Sequence, residues 1–242
     1  MPNDFAYELI HSYSNSGLAT LQTASCFYVL YICLIASSNK PLWRVLLVHG
    51  ASGMIGTLLE NIYISKKSCC VDEYWPFLLA INEISWVCHE SSTVLYSLLK
   101  LEIVILHQRT LTTIRGMMGI IFLAFTSFRV MIGYYRFIEN TTMSFNIARA
   151  HSYAFICWGV ADLILAFLLV LNTVEHLRKH RSVFITLLRS SILRMSVLIV
   201  NTAVISIVGQ FSDPSPTISN INTIAWTIKG SYPVKRVQNL IL

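Results

Sequence analysis

Charge is scarce in this sequence. Asp, Glu, Lys and Arg together make up 12% of the 242 residues, against about 25% in an ordinary soluble domain. That shortage leaves almost no room for a soluble domain. Cysteine is scattered rather than clustered: Cys26, Cys33, Cys69, Cys70, Cys88 and Cys157 form no C-x-x-C pattern, which removes a zinc framework. The adjacent Cys69 and Cys70 are poorly placed to bridge each other, because a disulfide demands a set separation and orientation. Cysteines inside apolar runs read as small packing residues. The sequence also lacks a Gly-rich phosphate loop, a Walker motif and a Ser/His/carboxylate arrangement, so no enzyme is expected. Internal repeats and low-complexity segments are absent. Met1–Ser16 holds Asp4 and Glu8 but no Lys or Arg, unlike the basic start of a cleaved signal peptide. The first apolar run is therefore expected to serve as its own insertion signal.

What the chain has instead is long apolar runs. Its residues are 55% hydrophobic and its mean hydropathy is +0.60. A membrane-spanning helix needs about 20 mostly apolar residues, and seven segments meet that need: Gly17–Ser37, Leu42–Ser65, Tyr74–Ile105, Ile114–Phe137, Ala150–Val174, Phe184–Phe211 and Thr217–Val234. The third and sixth are long enough to tilt or to project beyond the bilayer. The seventh is the most polar, with Ser219, Asn220, Asn222, Thr223 and Lys229, and Pro214 and Pro216 mark the turn before it. The expected fold is an all-α membrane protein, a seven-transmembrane helical bundle over residues 17–236. A short outer N-terminus (1–16) and a short cytosolic C-terminus (237–242) complete it.

The net charge of +6 would suggest nucleic acid in a soluble protein. No nucleic-acid motif is present, and the basic residues sit in short loops. With the N-terminus outside, the inner side holds Lys40, Arg44, Arg109, Arg115, Arg178, Lys179, Arg181, Lys235 and Arg236. The outer side holds Lys66, Lys67, Arg136 and Arg149. Nine against four satisfies the positive-inside rule with a cytosolic C-terminus. The one glycosylation sequon, Asn140-Thr141-Thr142, then falls in an outer loop.

The third segment carries the most chemistry. Glu83, Trp86, Glu90, Thr93, Ser97 and Lys100 recur at the three- and four-residue spacing of one helix face, with Ile84, Val87, Val94, Leu95, Leu98 and Leu101 on the other side. A charge at mid-membrane costs at least about 2.5 kcal/mol, so this face must look into a bundle. Counting from the outer helix ends at 1.5 Å per residue puts Glu83 and Arg129 at similar depth, as an ion pair fixing the packing or as a gate. Glu90, Asp162 and Lys229 fall together near mid-membrane. Two carboxylates and an amine there suit a proton relay, a cation site or an amine-ligand site, and Lys229 also permits a retinal Schiff base as a lesser alternative. Lys229 can equally pair with a carboxylate or snorkel to the interface. The small-residue run His49-Gly50-Ala51-Ser52-Gly53 reads as a packing surface, and Glu60 and Asn61 sit near the outer end of that helix. His176 and His180 have a zinc-like spacing, but Arg178, Lys179 and Arg181 would repel a cation, so the stretch reads as a basic loop facing anionic lipid or a cytosolic partner.

Seven spans with an outer N-terminus resemble G-protein-coupled receptors in topology over nearly the whole chain. The familiar motifs differ: below the third span stand Glu102 and His107-Gln108-Arg109, the sixth lacks both Trp and Pro, and the seventh offers Tyr232-Pro233-Val234. The stretch from Asn82-Glu83-Ile84-Ser85-Trp86 through His89-Glu90-Ser91-Ser92 also looks like orphan multi-span proteins of early-diverging fungi. The receptor resemblance implies a plasma-membrane protein that binds an extracellular ligand and signals to a cytosolic partner, a heterotrimeric G protein. Glu83, Glu90, Asp162 and Lys229 would anchor the ligand between Trp86 and Trp226, and residues 175–183 would face the partner. The alternative is a small ion- or proton-coupled transporter or channel that uses the same carboxylates.

Overall fold

The computed structural model describes residues 41–69, 75–105, 108–141 and 144–177, with scattered positions and short runs between 17 and 35 and between 196 and 207. Four long helices make up these stretches: α1 (Pro41–Cys69), α2 (Pro76–Val104), α3 (Gln108–Glu139) and α4 (Phe145–Leu177). They correspond to the second to fifth apolar segments, and no strand occurs among the described residues. Most of the sixth segment, all of the seventh with Trp226 and Lys229, residues 178–183 of the basic loop and both termini lie outside the described residues.

Local chemistry sets the helix ends. Pro76 opens α2 within its first two positions, where the missing N–H would have had no helical partner in any case. Thr112 and Thr113 donate their hydroxyls to the carbonyls of Gln108 and Arg109 at 3.0 and 3.1 Å. The α3 helix therefore starts six residues before the apolar segment at Ile114, because apolarity marks the membrane-embedded part and not the whole helix. At its other end Asn140 takes a left-handed φ of 46°, a conformation asparagine adopts more readily than most residues at a helix C-terminus. The Tyr63 hydroxyl sits 2.8 Å from both the carbonyl and the Oδ1 of Asn140, tying the end of α1 to the α3–α4 turn. Ser144 caps α4: its Oγ accepts the Ile147 N–H at 3.3 Å, and its carbonyl accepts the Ala148 N–H at 2.8 Å. Ser144→Ala should cost about 0.5–1 kcal/mol, read as a small fall in the thermal unfolding temperature of detergent-solubilised protein. An unchanged temperature would assign the helix start to packing alone.

α2 lies in the middle, packed against α1, α3 and α4, and α3 packs along α4. Val94, Leu98 and Leu101 of α2 meet Ile114, Phe125 and Ile132 of α3 and Ala154, Trp158 and Leu165 of α4 in one buried cluster. A second cluster joins Val29 to Trp43, Leu46 and Tyr96. Gly50 lets α1 approach the first segment closely: a Cβ there would lie 3.2 Å from the backbone of Cys26.

Burial on α2 is inverted relative to a soluble helix. Asn82, Glu83, His89, Glu90 and Ser92 are buried, whereas Ile81, Ile84 and Leu95 are exposed. The apolar side read from the sequence thus divides: Val94, Leu98 and Leu101 join the core, and Ile84 and Leu95 face outward. Exposed Ile120, Leu123, Val130, Leu163, Phe167 and Leu171 continue this apolar exterior on α3 and α4. Among the described residues, three helices are long and apolar enough to cross a membrane, over Pro41–Ser65, Gln108–Glu139 and Phe145–Asn172. The 29 residues of α2 span about 43 Å beside them, with the charged face sheltered by these neighbours. A membrane protein follows from this arrangement.

Candidate functional site: a buried charge ladder

Glu83 and Glu90 are seven residues apart on α2, and Arg129 and Arg136 are seven apart on α3. Seven residues are nearly two helical turns, about 10.5 Å of rise, so each pair shares a face. The two helices run antiparallel, and the four side chains interleave as Glu90, Arg129, Glu83, Arg136 along the axis. Arg129 Nη2 donates to Glu90 Oε1 at 2.8 Å, and its Nη1 donates to Glu83 Oε2 at 2.9 Å. Arg136 Nη1 lies 2.9 Å from Glu83 Oε1. Neither of those last two atoms completes an aligned hydrogen bond, so this outer rung is the weaker one.

The ladder is sealed. Arg129 and Glu90 are each 1% exposed, Glu83 4% and Arg136 6%. Two guanidinium groups against two carboxylates balance the buried charge, which a low-dielectric interior demands. A guanidinium suits the central place because its planar fork reaches two carboxylates with different nitrogens, which a single ammonium does less well. The Arg129 guanidinium also faces the Phe125 and Phe155 rings, 5.5 and 6.0 Å from their centroids. Gly133, between the two arginines on α3, makes the close approach available. A Cβ there would meet Glu83 Cγ at 3.5 Å and the Cα of Ala80 at 3.8 Å.

α4 adds an imidazole. His151 Nδ1 lies 2.9 Å from the carbonyl of Ile147, and Nε2 lies 3.4 Å from Arg129 Nη1. A carbonyl only accepts and a guanidinium only donates, so the proton sits on Nδ1 and the Nε2 lone pair faces Arg129. The neutral ring therefore fits beside the cation. All five groups lie in the half of the bundle that ends at the α3–α4 turn.

A second polar contact joins α1 and α2. His49 Nδ1 bonds the His89 carbonyl at 2.7 Å and His89 Nδ1 bonds the His49 carbonyl at 2.9 Å. The two rings stack 3.9 Å apart, and Trp86 stands edge-on to His89 at 5.4 Å. Trp86 also borders Gly56, so it fills the α1–α2 contact. Asp162 is buried on α4 at 9% exposure. The structure therefore brings Glu83, Glu90 and Arg129 together and puts Trp86 against α1, while Trp226 and Lys229 lie outside the described residues.

One feature differs from the sequence reading and a second goes beyond it. Arg136, counted among outer loop charges, is a buried helical residue on Glu83. Glu90, grouped by depth with Asp162 and Lys229, is bonded to Arg129. The matched seven-residue spacings of Glu83/Glu90 and Arg129/Arg136 are the signal that finds both. The histidine stack has no such signal beyond the small residues around His49. No cluster of three or more His, Cys, Asp or Glu able to hold a metal occurs among the described residues. No protein family, curated protein or solved structure matches the chain.

Proposed function

We propose that the chain is a seven-span plasma-membrane receptor with an outer N-terminus and a cytosolic C-terminus, and that the charge ladder is the lock holding its resting state. The single observation supporting this is the ladder itself: three helices joined through one buried guanidinium, in one half of the bundle. Buried ionisable groups in a membrane bundle are expensive and tend to mark functional sites. A lock of this kind is bistable, since its rungs are either made or broken, and a ligand acts by binding the broken state more tightly.

The ligand enters from outside and exchanges with a rung at Glu83 or Glu90. Asp162 and Lys229 supply further polar anchors, and Trp86 and Trp226 supply aromatic walls. The helix shift then reaches a heterotrimeric G protein through the basic loop 175–183. In this reading Asn140 carries an outer glycan, no catalytic group is required, and retinal on Lys229 is the one cofactor alternative. Resemblance to seven-span receptors and to orphan fungal membrane proteins rests on topology and on the Asn82–Ser92 stretch.

Glu90→Gln tests the proposal, since it removes one charge while keeping shape and a hydrogen-bonding group. Nucleotide exchange on a panel of co-expressed G proteins should rise above the wild-type basal level at equal surface expression. A basal level equal to wild type across the panel would count against a receptor lock. The second reading, an ion- or proton-coupled transporter, is favoured by the same carboxylates and the imidazole, which are proton-relay groups. It predicts proton or solute flux in liposomes containing only this protein, abolished by Glu90→Gln.

A further inference from the structure

A groove of about 750 Å³ runs between α3 and α4, far along α3 from the charge ladder. Its size falls within the about 300–1,000 Å³ of small-ligand sites. Ile114, Met117, Ile164, Phe167 and Leu168 line it with apolar surface, and Arg109 closes one end with Thr110 and Thr113 beside it. Arg109 is exposed and makes no ion pair among the described residues, unlike Arg115, which holds Glu102 at 2.8 Å. It lies in the first turn of α3, and that turn contains no acidic residue. The partial positive charge of the helix N-terminus and the guanidinium therefore stand at the same mouth.

We infer that this groove holds an acyl chain of an anionic phospholipid, with the lipid phosphate against Arg109. The charge arrangement selects the occupant. The apolar wall suits a hydrocarbon, the cationic mouth suits an anion, and an anionic lipid of the surrounding bilayer carries both. Basic pockets between membrane helices on the cytosolic side bind such headgroups. The inference rests on α3 and α4 spanning the membrane. It depends on the receptor orientation only for which leaflet supplies the lipid.

The test is lipid binding by the full-length protein in neutral detergent, followed by native mass spectrometry. Phosphatidylglycerol and phosphatidylcholine with identical chains are the probes, and inorganic phosphate is the competitor. Wild type should prefer phosphatidylglycerol by about fivefold, the factor for one arginine near an anionic headgroup, and Arg109→Gln should reduce that preference to near parity. Ile164→Trp, which fills the groove, should lower binding of both lipids. A preference that survives Arg109→Gln would overturn the inference, as would undiminished lipid binding in Ile164→Trp. Displacement of the lipid by phosphate at equal concentration would overturn it in favour of a soluble anion. No ligand or G protein enters the measurement, so its failure is separable from failure of the receptor proposal.

Discussion

Arg129→Gln is expected to lower the stability of the bundle by about 3–5 kcal/mol, the cost of stranding a buried charge by removing its partner. Here the change takes the hydrogen-bonded cation from both Glu83 and Glu90, and leaves Glu83 only its weaker rung to Arg136. Glutamine retains part of the side-chain volume, so the loss reports charge and hydrogen bonding more than packing. The effect should show as a large fall in the unfolding temperature in mild detergent and as poor delivery to the cell surface. Arg136→Gln should cost much less, since its rung lacks an aligned hydrogen bond and Arg129 still holds Glu83. Arg129→Lys should fall between the two, because an ammonium keeps the charge but loses the planar fork. Equal stability of wild type and Arg129→Gln would mean that water reaches these carboxylates.

Gly133→Leu is the second large effect expected. Gly133 brings the α3 backbone close to Glu83, and a Cβ would already touch Glu83 Cγ at 3.5 Å. Alanine at this site makes an ordinary contact and removes the backbone-entropy penalty of a helical glycine, so Gly133→Ala should be neutral or stabilising by up to about 1 kcal/mol. Leucine adds branches with nowhere to go. Overpacking alone costs about 1–3 kcal/mol, and forcing α2 from α3 would lengthen the rungs on either side. The two substitutions should therefore move the unfolding temperature in opposite directions, or leave alanine unchanged while leucine falls. A leucine variant as stable as alanine would contradict the close approach of α2 and α3 at this point.

The helical membrane character was legible because the apolar runs are long and the charges few, and because α2 carries its charges on one face. Counting residues from helix ends pairs Glu83 with Arg129, and the two lie 2.9 Å apart. The same counting leaves the partner of Glu90 open, because depth is shared by every helix of a bundle while rotation about the axis decides who meets whom. Arg136 reads as a loop residue because it stands near the end of its apolar run, yet the helix continues to Glu139 and turns it inward. The reciprocal bonds of His49 and His89 use backbone carbonyls, which carry no sequence identity, so pattern alone does not reveal them. Asn140 shows a different ambiguity. Its asparagine satisfies a glycosylation sequon and equally a left-handed helix end held by Tyr63.

The central claim is that Glu90 and Arg129 are coupled inside the bundle. The direct measurement is a double-mutant cycle of Glu90→Gln, Arg129→Gln and the double variant, by thermal unfolding of the purified full-length protein in detergent. Interaction energies for contacting residues run to about 0.5–3 kcal/mol, and a buried hydrogen-bonded pair belongs at the upper end of that range. The account predicts a double variant clearly more stable than the sum of the two single losses implies, because removing both charges leaves neither stranded by the other. Strict additivity of the two losses would contradict it and would dissolve the ladder into unrelated buried charges.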